Sequence, residues 1–146
     1  AAPQVNRDIR LFVVDTIQMF RSMDEKEKAE FPGDEGLKAV FINARIEGLE
    51  GEEWAYNEGC LSIPKIREDI FRQEAVTIRY FDEQFNEKLE RFSGLTARVI
   101  LHEYDHIEGK LFIDYISSLK RKLMKGKLND ISKGKIKVDY RMLFPV

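Results

Sequence analysis

Short β-rich runs separated by turn-forming residues fill the chain from Ile9 to Phe92. They predict strands over Ile9–Val14, Ala39–Ile46, Glu53–Cys60, Asp69–Phe71, Ala75–Phe81 and Lys88–Phe92, with Glu47-Gly48, Pro64 and Asp82-Glu83 among the separators. Between the first two runs, Arg21 to Gly36 is charged and holds Pro32, Gly33 and Gly36, so it reads as an exposed loop that acts only as a spacer. The rhythm then turns helical. Leu95, Val99, His102 and His106 recur at helical spacing, Ser93 is a suitable N-cap and Gly109 a suitable left-handed stop, which predicts a helix from about 94 to about 108. Leu111-Phe112-Ile113 reads as a short strand. From Ser117 a basic amphipathic helix follows, with Leu119 and Leu123 at i,i+4 and Gly126 as its expected end, and Lys135 to Met142 alternates like a strand. The predicted architecture is α+β, with antiparallel strands packed around one central helix.

Composition keeps this picture ordinary. A chain of 146 residues, 43% hydrophobic and 34% charged, suits one domain, residues 1–146, with a real core. No apolar run approaches the ~20 residues that a membrane-spanning helix needs, so no membrane partner is expected. One cysteine excludes an internal disulfide and suits the reducing cytoplasm, where a ligand thiolate stays usable. Charge changes the picture more. Residues 1–119 carry 15 basic and 24 acidic side chains, net −9, whereas residues 120–146 carry 9 basic and 2 acidic, net +7. This basic appendage reads equally as a solvated face or as a contact for nucleic acid or the ribosome.

The chemistry concentrates in Leu101-His102-Glu103-Tyr104-Asp105-His106 on the predicted central helix. Imidazoles at i and i+4 share one helix face and can reach one metal ion, and the glutamate beside the first can work on water activated there. His102 and His106 are the only histidines in the chain. A catalytic zinc-type site usually takes three protein ligands and keeps one open position. The extended metalloprotease pattern would place a third histidine where this chain has Phe112, so the remaining candidates are a carboxylate or the single cysteine, Cys60. Cys60 lies in Asn57-Glu58-Gly59-Cys60-Leu61-Ser62-Ile63-Pro64, where glycine permits close backbone approach. Asp105, three residues after His102, falls off the ligand face and reads as a supporting or surface carboxylate.

Glu58-Gly59-Cys60-Leu61-Ser62 and His102-Glu103-Tyr104-Asp105-His106, with Ala1-Ala2-Pro3-Gln4 before them, resemble the three signature motifs of peptide deformylases, G-x-G-x-A-A-x-Q, E-G-C-x-S and H-E-x-x-H. The second and third motifs match in full and in order. The first matches only in its last four residues, so the chain is expected to lack the usual N-terminal helix and the first part of the glycine-rich loop. The resemblance runs to about residue 116 and less distinctly beyond. It implies a hydrolase of protein biosynthesis that takes the formyl group from the N-terminal methionine of nascent polypeptides. It also implies one divalent metal held by Cys60, His102 and His106, ferrous iron in the cell, with zinc, nickel or cobalt possible. Glu103 would act as general base, and the Gln4 amide with the Leu61 backbone N–H would meet the oxyanion. Gly59, Leu95 and Val99 would touch substrate, although a plain core role suits Leu95 and Val99 equally. Arg67 resembles a family arginine that pairs with an acid in the loop lacking here. Two other readings stay open: another H-E-x-x-H metallopeptidase, and a non-catalytic ribosome-associated binding module.

Overall fold

The structure, a computed structural model, describes residues 1–144. Four strands, β1 (Leu11–Asp15), β2 (Lys38–Cys60), β3 (Ile63–Phe81) and β4 (Glu87–Ser93), form one sheet in that order. β1 runs antiparallel to β2 with Phe12 opposite Phe41, and β3 runs antiparallel to β4 with Ile78 opposite Glu90. Four helices accompany them: α1 (Ile17–Ser22), α2 (Glu25–Lys28), α3 (Gly94–Ile107) and α4 (Ser118–Ser132). The expected α+β class with antiparallel strands and a central motif helix is what forms. The chain divides into two compact units, residues 1–54 with 72–111, and residues 55–71 with the segment from Phe112 onward.

Two pairs of expected strands are in fact continuous. Ala39–Ile46 and Glu53–Cys60 merge into β2, and Asp69–Phe71 and Ala75–Phe81 merge into β3. Glu47-Gly48 does not turn the chain: both residues stay within β2, where membership of the sheet outweighs a local preference. Cross-strand side chains reinforce the same stretch: Arg79 Nε donates to Glu47 Oε1 at 2.9 Å, and Arg91 Nε donates to Glu50 Oε2 at 2.9 Å.

In the first unit the core is built from alternate strand residues and one helix face. Phe12 and Val14 of β1, Phe41 and Ala44 of β2, and Val76, Ile78 and Tyr80 of β3 meet Ala97, Ile100 and Leu101 of α3. The Phe12 and Phe41 rings stack at 4.7 Å, a consequence of their being register partners. α3 itself ends one residue earlier than expected and in the expected way. Gly109, at φ 72°, donates to the His106 carbonyl, and Lys110 donates to the Asp105 carbonyl, a paired stop that needs a left-handed residue.

The segment from Arg21 to Gly36 is more than a spacer. It completes α1 and forms α2, whose cap is reciprocal: Asp24 Oδ1 accepts from the Lys26 and Glu27 backbones, and Glu27 Oε2 accepts from Asp24 N. Phe31 then packs its ring between Phe20 and Trp54, at 6.2 and 5.9 Å. Asp34 caps the start of α3, its two oxygens accepting from Thr96 N at 2.7 Å and Thr96 Oγ1 at 2.6 Å. Ser93 occupies the N-cap position without using its side chain.

The second unit departs from the sequence pattern in three places. Leu111–Ile113 is no strand; a short 3-10 turn spans Phe112–Asp114 and buries Phe112 and Ile113. α4 continues through Gly126 to Ser132, since a helix interior tolerates a single glycine at a cost of ~1 kcal/mol. Its stop is Gly134, at φ 69°, with the same paired bonds to the Ile131 and Asp130 carbonyls. Lys135–Met142 forms no regular element and bends at Ile136, Asp139 and Tyr140; Ile136, Val138, Tyr140 and Met142 are half-buried and the residues between them exposed, but the segment joins no ladder among the described residues. Among the described residues, no helix is long and apolar enough to cross a membrane.

Candidate active site

α3 positions its motif by burial on one side and polar anchors at both ends. Leu95, Ala97 and Ile100 are fully buried, so the turns before the motif cannot rotate without opening the core. At the far end Arg10 Nη2 donates to the Ala44 carbonyl at 2.9 Å and pairs with Glu108 at 2.5 Å, which holds the last turn against β2. The hydrogen bond to Glu108 raises the Arg10 pKa above its already high value, so this anchor stays charged.

The two imidazoles stand one turn apart on the same face. Their ring centroids are 5.0 Å apart, with planes at 81°, His106 buried and His102 half-buried. A pair of neutral imidazoles at this spacing fits the nitrogen part of a single metal's ligand set. Asp105 points the other way. It is 7% exposed, and Oδ2 accepts from Arg72 Nη1 at 2.7 Å, with Arg72 itself 5% exposed. The reading of Asp105 as a supporting carboxylate thus gains a named partner, which ties the helix to β3 directly beside His106.

Glu103 lies on the half-buried flank, its side chain 19% exposed. The Ala1 nitrogen donates to Glu103 Oε2 at 2.8 Å and to Gln4 Oε1 at 2.6 Å. Gln4 and Glu103, 99 positions apart in the sequence, therefore converge on one nitrogen. The 3-10 turn Ala2–Val5, with Ala2 buried, holds Gln4 there. Leu95 is wholly buried beneath the motif, and Val99 is half-buried against the core cluster.

In the second unit Cys60 is the last residue of β2 and is half-buried. Leu61 and Ser62 form a two-residue turn into β3, and the Leu61 side chain is 70% exposed. Gly59 lies against Arg67, where a Cβ would come within 2.8 Å of Nη1. Arg67 uses its guanidinium on Asn57, Nε donating to Oδ1 at 2.8 Å and Nη2 donating to the Asn57 carbonyl. Asn57 in turn donates to Asp69 Oδ1 at 2.9 Å. Arg67 thus braces the two sides of the hairpin that bears Cys60. A cavity of about 700 Å³ lies beside this hairpin, lined among others by Gly59, Leu61, Arg67 and Tyr140.

Sequence reasoning missed Asp34, Arg72, Arg10 and Tyr140 as residues that hold these groups. Each acts on a partner more than thirty positions away, and a single sequence gives no sign of such pairs.

The family described as polypeptide deformylase matches residues 1–122. A peptide deformylase of Christiangramia forsetii is 54% identical over 145 residues, 99% of this chain and 74% of the relative. One of Flavobacterium johnsoniae is 56% identical over 145 residues, 99% of this chain and 73% of the relative. Among solved structures, peptide deformylase from Ehrlichia chaffeensis superposes with a TM-score of 0.74 at 30% identity, over 92% of this chain and 72% of that one. Peptide deformylase 1B of Arabidopsis thaliana, in complex with an inhibitor, gives 0.73 at 30% identity, over 92% and 67%.

Proposed function

This chain belongs to the polypeptide deformylase family, and from that premise we infer that it removes the N-formyl group from the N-terminal methionine of nascent polypeptides by metal-dependent amide hydrolysis. The observation that carries this reading is the placement of His102 and His106 one turn apart on one face of the buried helix α3, with Glu103 beside the first. Cys60, His102 and His106 would hold the divalent ion, a thiolate and two imidazoles being a ligand set suited to iron(II) or zinc. Bound there, the ion supplies Lewis acidity and brings water toward ionisation near neutral pH. Ferrous iron in the cytoplasm is the form we assign to the working enzyme.

The chain's own residues supply the rest. Glu103 accepts the proton of the attacking water as its oxygen bonds to the formyl carbon. When the carbon–nitrogen bond breaks, Glu103 returns that proton to the departing methionine amine, leaving formate and a free N-terminus. The Gln4 NH2 group and the Leu61 backbone N–H donate to the oxygen that gains charge; one such donor is typically worth ~10²–10³ in rate. Gly59 offers backbone to the substrate chain and Val99 shapes the apolar side for methionine, whereas Leu95, with no exposed surface, takes the core role that the sequence allowed equally. The buried Arg72–Asp105 pair keeps His106 in place while these groups act.

Metal analysis beside a deformylation assay tests this. The protein should carry one equivalent of metal and hydrolyse formyl-Met peptides, and Cys60→Ala should lose both. A metal-loaded protein that leaves formyl-Met peptides intact would overturn the assignment. Ribosome contact through α4 belongs to the same reading, supported by exposed Lys122 and Lys125 on a segment of net charge +7. Such a contact should weaken steeply with salt.

A further inference from the structure

The second unit contains a return path that the deformylase reading does not use. From α4 onward the chain touches the β2–β3 hairpin at three points in order. Lys120 Nζ pairs with Glu68 at 2.7 Å, Lys127 Nζ donates to the Lys65 carbonyl at 2.5 Å, and Tyr140 Oη donates to the Leu61 carbonyl at 2.8 Å. Each successive contact lies nearer the tip, from residue 68 to 65 to 61. The last falls on the turn itself, where Leu61 has a largely exposed side chain and so gains little from packing. Along Lys137–Tyr140, Val138 and Tyr140 are half-buried while Lys137 and Asp139 face out. The alternation seen in the sequence thus seats Tyr140 on the hairpin.

We propose that Tyr140 is a positioning residue for hydrolysis: its hydroxyl holds the Leu61 carbonyl and so fixes the backbone of the residue whose N–H meets the oxyanion. This rests on the role given to Leu61 in the deformylase reading. Fixing the Leu61 carbonyl restrains the ψ angle of Leu61 and, with β2 fixing its other side, the direction of its N–H. A donor aimed in advance costs no reorganisation as charge develops. Burial, and then the Asp139 charge, raise the Tyr140 pKa, so the hydroxyl remains a donor throughout the neutral range.

The test is Tyr140→Phe in the full, metal-loaded protein, which keeps the ring and removes only the hydroxyl. Metal content and the denaturant midpoint should match the parent. Exchange of the Leu61 and Ser62 amides should quicken, and kcat on a formyl-Met peptide should fall about three- to tenfold with KM unchanged, the scale of one ordinary hydrogen bond. Parent-like kcat, or a loss confined to KM or to stability, would overturn the role of Tyr140. A parent protein that binds metal but leaves the formyl peptide intact fails differently: it removes the deformylase reading and this inference with it.

Discussion

Helices α3 and α4 are nearly equal in length, 14 and 15 residues, both follow a serine and both stop on a left-handed glycine. Eight residues of α3 are buried and only Ile131 of α4. α3 is fixed by tertiary packing, with Asp34 at its start, Arg72 along its side and Arg10 at its end. α4 is fixed by its own hydrogen bonds and by surface ion pairs such as Arg121–Asp114. The contrast explains where the chemistry sits. The roles proposed for α3, two metal ligands and a general base, would need geometry held to a fraction of an ångström, and a helix whose rotation would open the core provides that.

The comparison can be broken most sharply at Glu103. Glu103→Ala should keep the metal and lose about 10²- to 10⁴-fold in kcat, because the ligand set is separable from the proton carrier. Equal turnover by the variant would show that α3 merely carries ligands. Next in size is the buried pair. Asp105→Ala leaves Arg72 charged and buried, which should cost about 3–5 kcal/mol in urea unfolding of the metal-free protein. If Asp105→Ala unfolded at the parent midpoint, the pair would not be what secures the helix beside His106. Ile100→Ala, at a site with no exposure, should cost about 2–5 kcal/mol by the same measurement.

What was legible in the sequence follows the same division. The position of α3 could be read within a residue, since a helical period, a glycine stop and the two histidines all pointed to it. The length of β2 could not, because Glu47-Gly48 reads locally as a turn, and the side chains that brace this stretch, Arg79 of β3 and Arg91 of β4, come from far along the chain. Asp34 reads as part of a spacer, since its partner Thr96 is 62 positions away. Lys135–Met142 alternates as a strand does, and the alternation is real. The segment meets the hairpin through side chains, so the period was right and the ladder was not. Gly126 shows a related limit: it reads locally as the helix stop, but α4 runs on to the paired bonds that Gly134 and Lys135 make to its last turn.

The smallest effect is the most direct control on the contrast. Leu123 is as apolar as any residue of the core, yet it is 78% exposed, so truncating it removes almost no buried surface. Leu123→Ala also improves helix propensity slightly, which offsets the little packing that is lost. The change in unfolding free energy should therefore stay within about 0.5 kcal/mol, several-fold below that of Ile100→Ala. A loss for Leu123→Ala comparable to that for Ile100→Ala would mean that α4 buries this face in solution. It would then be as firmly fixed as α3, and the difference in burial would no longer explain why the reactive groups reside on one helix and not the other.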